Sequence, residues 1–366
     1  MFQFVFCGLL ATFFAYISQY KGKKHFLVLS FAVIAYIMGL QDGAAIDFSA
    51  YVKTFKMIMN GTMNTGLFSF EDRHSGGIIE IGWYTLNKVL GSIINSYHFV
   101  SLVASIFICW TINKMLKKVD SKWHWLAILY FYFINMQFCM SGIRQAIAMM
   151  CFMLAVLFII ECKWKKLIIV SLLGLTFHNS FIIILCTLPL LFIPDAFLEK
   201  HIKKIIIINI VAYVLVLLQS NSIRNILFLN FMSQMEENAG DYGHYLESIM
   251  IAKTSFLNTM FRLLNFIFII IAFYYAKAIE RKLLLFFLFS TYAIAIVGEN
   301  SDVARINNYF TIFATVAMCI IPLTIRNKLV RTSFVALTLL YIVKIAIDNT
   351  NNFLYAGYNE FHTIIF

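Results

Sequence analysis

Proline occurs only three times in this 366-residue chain, at Pro189, Pro194 and Pro322, and no Pro/Gly/Ser-rich stretch separates one region from another. That excludes two soluble domains on a tether and points to a single domain over residues 1–366. Charge is equally scarce. Charged residues make up 13% of the chain against 61% hydrophobic, too few to coat a soluble globule, so lipid has to serve as solvent. The seven cysteines (Cys7, Cys109, Cys139, Cys151, Cys162, Cys186, Cys319) lie in or at the ends of apolar stretches with no CxxC and no metal-like spacing, which makes them packing residues. Walker A, GxSxG, HExxH and DxD patterns are all missing, so neither ATP nor a nucleotide sugar is the expected donor. Met1 to Tyr20 lacks the basic start and small-residue cleavage site of a signal peptide and is expected to be the first span.

What the chain does have is apolar length. Stretches close to the ~20 residues a membrane helix needs fall near 2–19, 25–41, 97–113, 123–139, 142–161, 204–220, 255–276, 282–298, 305–324 and 330–347. They predict about ten transmembrane helices. A further stretch, 166–194, is too long for one span and is broken at Phe177-His178-Asn179-Ser180. At ~1.5 Å per residue each half covers about two-thirds of the hydrocarbon, which predicts a broken or re-entrant helical hairpin. The expectation is an all-α integral membrane protein of 10–12 segments.

The net charge of +11 comes in short clusters between the spans, which argues for topology rather than for nucleic acid. Lys21/Lys23/Lys24, Lys114/Lys117/Lys118/Lys122, Lys163/Lys165/Lys166, Lys200/Lys203/Lys204, Lys277/Arg281/Lys282 and Arg326/Lys328/Arg331 occupy alternate loops and hold nineteen of the 29 basic residues. By the positive-inside rule these loops are cytoplasmic. The alternation survives only if the 166–194 hairpin returns to its own side with His178 near its tip, and both termini are then outside. The outer face receives two long loops, 42–96 and 221–254, and thirteen of the 18 acidic residues. Apolar periodicity over 48–60 and 78–94 predicts amphipathic helices at the outer interface.

Polar residues at the outer ends of spans are costly enough there to suggest function. Arg144, in Met140-Ser141-Gly142-Ile143-Arg144-Gln145, opens a span from a short outer turn, and its planar fork suits a diphosphate. His178 could take a proton from a sugar hydroxyl. Arg305 opens another span, and two arginines from different helices could clamp one diphosphate; a helix-capping pair with Asp302 is the simpler alternative. Arg262 lies about seven residues inside its span, a depth that calls for an anion, a water-filled cavity, or an ion pair with Glu299 or Glu247. In the first outer loop, Asp47 and Glu80 could orient sugar hydroxyls, and Trp83 and Tyr84 could stack on sugar rings. The acidic and aromatic loop at 236–247 reads more weakly.

In this order the motifs resemble the EpsG-type and Wzy-type bacterial polysaccharide polymerases. The resemblance runs from about residue 36 to 325. It rests on Ala45-Ile46-Asp47-Phe48 with Tyr51, on Glu80 to Trp83, on Ser141 to Gln145, on Phe177 to Ser180, and on Arg305 ahead of Tyr309-Phe310. Gln41 stands where such proteins usually carry arginine, and Ala45 where they usually carry glycine. The resemblance implies a GT-C-like fold in the bacterial inner membrane and a site facing the periplasm. It implies undecaprenyl-diphosphate-linked oligosaccharide as substrate, membrane lipid as surroundings, and a chain-length regulator protein as partner. The activity it implies is a metal-independent glycosyl transfer with no cofactor. The growing chain on one lipid passes to the non-reducing sugar of another. Arg144, Arg305 and Arg262 would hold the diphosphate, Gln145, Tyr51 and Trp83 would line the substrate site, and His178, or else Asp47 or Glu80, would be the base. A flippase could use the same arginines, but no internal repeat or matched pair of broken spans supports one. A ligase or acyltransferase remains the enzymatic alternative.

Overall fold

The computed structural model describes residues 2–23, 25–43, 45, 47–62, 64–65, 69–71, 78–235, 256–297, 302–355 and 362–363. Side chains are described at 3–23, 25–43, 45, 47–62, 79–218, 259–295 and 306–347. Among these residues six helices are long and apolar enough to cross a membrane: Gln3–Tyr20, Tyr97–Leu116, Ile143–Ile160, Asp195–Leu218, Ile306–Thr324 and Lys328–Ile347. Shorter apolar helices cover His25–Leu40, Phe181–Phe192 and Thr259–Tyr275. The chain is therefore a mostly helical, multi-pass membrane protein.

Two compact units form, Met1–Leu191 with Val335–Phe366 and Phe192–Phe334. In the first, α1 (Phe2–Tyr20), α2 (His25–Leu40) and α5 (Tyr97–Leu116) pack in sequence. Gly39 lets α2 approach α5 closely, since a Cβ there would stand 2.5 Å from the Leu102 Cα. Small residues at such crossings let membrane helices pack without a hydrophobic driving force. α8 (Ile143–Ile160) is the core helix, almost wholly buried and touched by α5, by α7 (Met136–Ser141), by α9 (Trp164–Phe177) and by α10 (Phe181–Leu185).

Between α2 and α5 two amphipathic helices form where the periodicity predicts them, α3 (Phe48–Asn60) and α4 (Ile81–Ile93). α3 buries Phe48, Tyr51, Phe55 and Ile58, and α4 buries Trp83, Asn87 and Gly91. The three- and four-residue spacing places each set on one helix face. Short strands, which the sequence reading did not anticipate, complete this region. β1 (Gln41–Asp42) pairs with β5 (His362–Thr363), and β2 (Asn64–Thr65), β3 (Ser69–Glu71) and β4 (Ile78–Glu80) form an antiparallel ladder that delivers the chain into α4. Gln41 is buried, and its Oε1 accepts the Ala45 N–H at 3.2 Å, so it closes the loop that leads to Asp47.

The span over 123–139 is interrupted. α6 (His124–Tyr130) and α7 flank one π-turn, Phe131–Asn135, with Asn135 buried beside it. Such turns recur at functional sites, and this one lies six residues before the Ser141-Gly142 turn. The 166–194 stretch breaks at the predicted place: α9 ends at Phe177, and α10 and a 3-10 segment, Leu188–Phe192, follow.

At its far end α8 runs into a charged knot. Lys118 and Lys163 both pair with Glu161, the latter at 2.6 Å. Hydrogen bonds from the two ammonium groups hold the Glu161 carboxyl down at about 2, below its ordinary 4.5. A depressed carboxyl contributes stability that is complete above the ordinary value and lost as pH falls towards the folded one. The melting-temperature difference between wild type and Glu161→Gln is accordingly expected to be flat from pH 5 to 8 and to shrink below about 4.5. Its size corresponds to ~0.2–1 kcal/mol per exposed pair, because the lysines are solvated.

The second unit holds α11 (Asp195–Met235), α12 (Phe256–Tyr275), α13 (Ala278–Val297), α14 (Asp302–Thr311) and α15 (Phe313–Thr324). α11 continues well past the apolar stretch at 204–220, through the first part of the predicted 221–254 loop. Neither glycine nor proline occurs from 195 to 239, so nothing in the chain stops the helix. The buried Arg281 caps α12 by donating from Nε to the Phe273 carbonyl (3.3 Å) and from Nη2 to the Ala276 carbonyl (2.8 Å). α16 (Lys328–Tyr355) is the last helix among the described residues.

Candidate active site

α8 begins at Gly142, whose carbonyl accepts the Ala146 N–H at 2.8 Å, and Arg144 follows in the first turn. A cation at a helix N-terminus faces the positive end of the dipole, so its position needs an anion. Glu80 provides one. Its Oε2 accepts a hydrogen bond from Arg144 Nη1 at 2.5 Å, with the Glu80 side chain 12% and the Arg144 side chain 29% exposed. Glu80 is itself the residue before α4, in extended conformation with no side-chain capping bond, so its carboxylate is available to the guanidinium.

Tyr51 of α3 is the third member. Its ring centroid lies 5.9 Å from the Arg144 Cζ, and the arginine donates a hydrogen bond to its hydroxyl. Trp83 meets Tyr51 edge to face at 5.5 Å, and Tyr97 lies parallel to it at 6.4 Å and 7°. Burial pushes the Tyr51 hydroxyl above its ordinary value, with Arg144 opposing the shift and Asp47 and Glu80 adding to it. The ring is therefore a neutral wall that lends the guanidinium a π-face and one acceptor. Arg144 meets two acceptors among the described residues, Glu80 and Tyr51, while a guanidinium carries five N–H donors.

α9 brings His178 to the neighbourhood of α4. Gly82 packs so tightly on Thr176 that a Cβ there would lie 2.5 Å from the threonine Oγ1 and 2.7 Å from its carbonyl oxygen. Two residues on, the His178 Nδ1 sits 2.7 Å from the Ser180 Oγ and receives the Ser180 backbone N–H at 3.3 Å. A backbone N–H cannot donate to a protonated ring nitrogen. The neutral tautomer that accepts this N–H carries its proton on Nε2, whereas the one that donates from Nδ1 to the Ser180 Oγ leaves Nε2 an acceptor.

Of the residues singled out by sequence, Asp47, Tyr51, Glu80, Trp83 and Arg144 thus form one constellation, with the half-buried His178 joined to it through Thr176 and Gly82. Gln145 is buried on α8, beside Arg144. Arg262 belongs to the second unit, on α12, close enough to the buried Tyr213 for an electrostatic interaction; the side chains of Glu299 and Glu247 lie outside the described residues. Arg305 is on α14 of that unit, its side chain outside the described residues, as is the 236–247 loop. Sequence reasoning missed Tyr97, counted as the first residue of an apolar span, and Ser180, seen only as a small polar neighbour of His178.

Arg144 and Glu161 flank opposite ends of α8, about 26 Å apart at ~1.5 Å per residue. The Glu80–Arg144–Tyr51 constellation and the lysine-rich knot therefore lie at opposite ends of α8. The family described as the EpsG family matches residues 24–359. No curated protein and no solved structure matches the chain.

Proposed function

This chain belongs to the EpsG family, and on that premise we propose that it is a polysaccharide polymerase of the bacterial inner membrane. It joins undecaprenyl-diphosphate-linked oligosaccharides at the outer face without a metal ion. The observation that carries the reading is the Glu80–Arg144 pair, set beside Tyr51 at the end of α8 away from the lysines. By the positive-inside rule that end faces the periplasm. The ten-crossing count, with the 166–194 hairpin re-entering from the cytoplasmic side, and a GT-C-like arrangement belong to the same proposal.

The chemistry needs a cation over the leaving diphosphate and a base for the acceptor hydroxyl. Arg144 supplies the first through its fork of N–H donors. An arriving diphosphate competes with Glu80 for the guanidinium, and as the arginine turns to the phosphate the carboxylate is released. Glu80 then takes the proton of the acceptor hydroxyl while the new C1–O bond forms and the C1–O bond to the diphosphate breaks. Undecaprenyl diphosphate departs with the electron pair. Asp47 is the alternative base. His178 donates from Nε2 to a sugar or phosphate oxygen. Trp83 and Tyr51 form the aromatic floor beneath Arg144, and Gln145 supports it from α8. Arg262 and Arg305 are proposed as further diphosphate contacts.

The test uses purified protein and undecaprenyl-diphosphate-linked repeat units with added chelator and no nucleotide sugar. A glycan ladder is the expected product. Absence of a ladder, with labelled lipid-linked units crossing liposome membranes instead, would make the protein a flippase. His178→Gln keeps a side-chain N–H donor but no titratable nitrogen. It is expected to retain several-fold more activity than His178→Ala, whereas equal loss in both would return the base to His178.

A further inference from the structure

The second unit carries an open groove of about 440 Å³ that the polymerase chemistry does not use. Ile206 of α11, Ile271, Tyr274 and Tyr275 of α12, Arg326 and Val330 are among its walls. Its volume is in the range of small-molecule sites, ~300–1,000 Å³, but its chemistry is lopsided. The body is almost wholly aliphatic and aromatic, so it offers a sugar or a peptide few hydrogen bonds. One end carries a cation, Arg326, whose Cζ lies 5.8 Å from the Tyr275 ring. Lys328 and Arg331 follow at the start of α16, and no acidic side chain is among the lining residues. The neighbouring Asn327 Oδ1 is occupied in accepting the Leu329 and Val330 N–H groups, and the charged group among the lining residues is the Arg326 guanidinium.

We propose that this groove holds one anionic phospholipid of the leaflet at the lysine- and arginine-rich helix ends, with an acyl chain along the isoleucines and the headgroup phosphate on Arg326. Basic pockets between membrane helices recognise acidic headgroups in this way. The paired rings of Tyr274 and Tyr275, 5.0 Å apart, close α12 at its C-terminal end, and aromatic side chains at the ends of membrane helices mark the interface. Arg262 lies thirteen residues before Tyr275 on the same helix, about 20 Å along its axis. The groove is therefore separate from any diphosphate contact made by that residue.

The experiment is native mass spectrometry of the purified full chain, delipidated and then titrated with dioleoyl phosphatidylglycerol or dioleoyl phosphatidylcholine. One phosphatidylglycerol is expected to be retained in preference to phosphatidylcholine. Arg326→Ala weakens that retention by about five- to tenfold, the size of one cation's attraction to an anionic lipid. Ile271→Trp, which fills the groove and leaves the cation in place, removes it. Both variants are compared at a matched size-exclusion profile; Arg326 is exposed, so its variant remains informative if the tryptophan variant misfolds. Equal retention of the two lipids, unchanged retention in Arg326→Ala, or displacement of phosphatidylglycerol by inorganic phosphate would each overturn the proposal.

Discussion

Arg144→Ala abolishes the glycan ladder, with an expected loss of ~10²–10³-fold or more, the cost of deleting a preorganised donor over developing negative charge. Arg144→Lys recovers only a minor part, because an ammonium neutralises charge without offering the planar fork. Loss of activity through loss of structure has to be separated from this. Arg144→Ala strands the mostly buried Glu80 carboxylate, and an unpaired group of that kind costs about 1–3 kcal/mol. In Arg144→Ala/Glu80→Ala neither charge remains unsatisfied, so its melting temperature should lie nearer that of wild type while its ladder stays absent. A double variant that regained activity would remove Arg144 from the chemistry.

The same pair shows how far the sequence could be read. Arg144 and Glu80 were each visible as an ionisable residue at the edge of an apolar segment, and the charge alternation put both on one side of the membrane. That they meet was not visible. They are 64 residues apart, and their contact depends on the ladder of Ser69–Glu71 with Ile78–Glu80 and on the packing of α4 against α9. Neither leaves a mark in hydropathy. Helix existence was legible because lipid forces every backbone N–H and C=O to be satisfied within the segment. The π-turn at Phe131–Asn135 was not, since one extra residue in a turn leaves composition and periodicity unchanged. His178 was legible as a polar break in an apolar run. Its pairing with Ser180 was not, because the turn between α9 and α10 sets it.

Gly82→Ala should be nearly as damaging as loss of Arg144, although the residue carries no chemistry. The new methyl carbon would lie 2.5 Å from the Thr176 Oγ1 and 2.7 Å from the Thr176 carbonyl oxygen. The hydroxyl could rotate away, but the carbonyl belongs to the last turn of α9 and can yield only if the helix end moves. Such a shift separates the Glu80 end of α4 from the His178 turn. A misplacement of about 1 Å costs on the order of 10²-fold in rate. Thr176→Ala alone is expected to be mild. The double variant Gly82→Ala/Thr176→Ala should stay impaired, since the backbone clash persists. Full recovery in the double variant would show that the hydroxyl was the whole obstacle. Full activity in Gly82→Ala would show that the approach of α9 to α4 does not set the geometry of the site. The readout is ladder formation per folded protein, with the melting temperature taken alongside, because a positioning defect lowers the rate far more than it lowers stability.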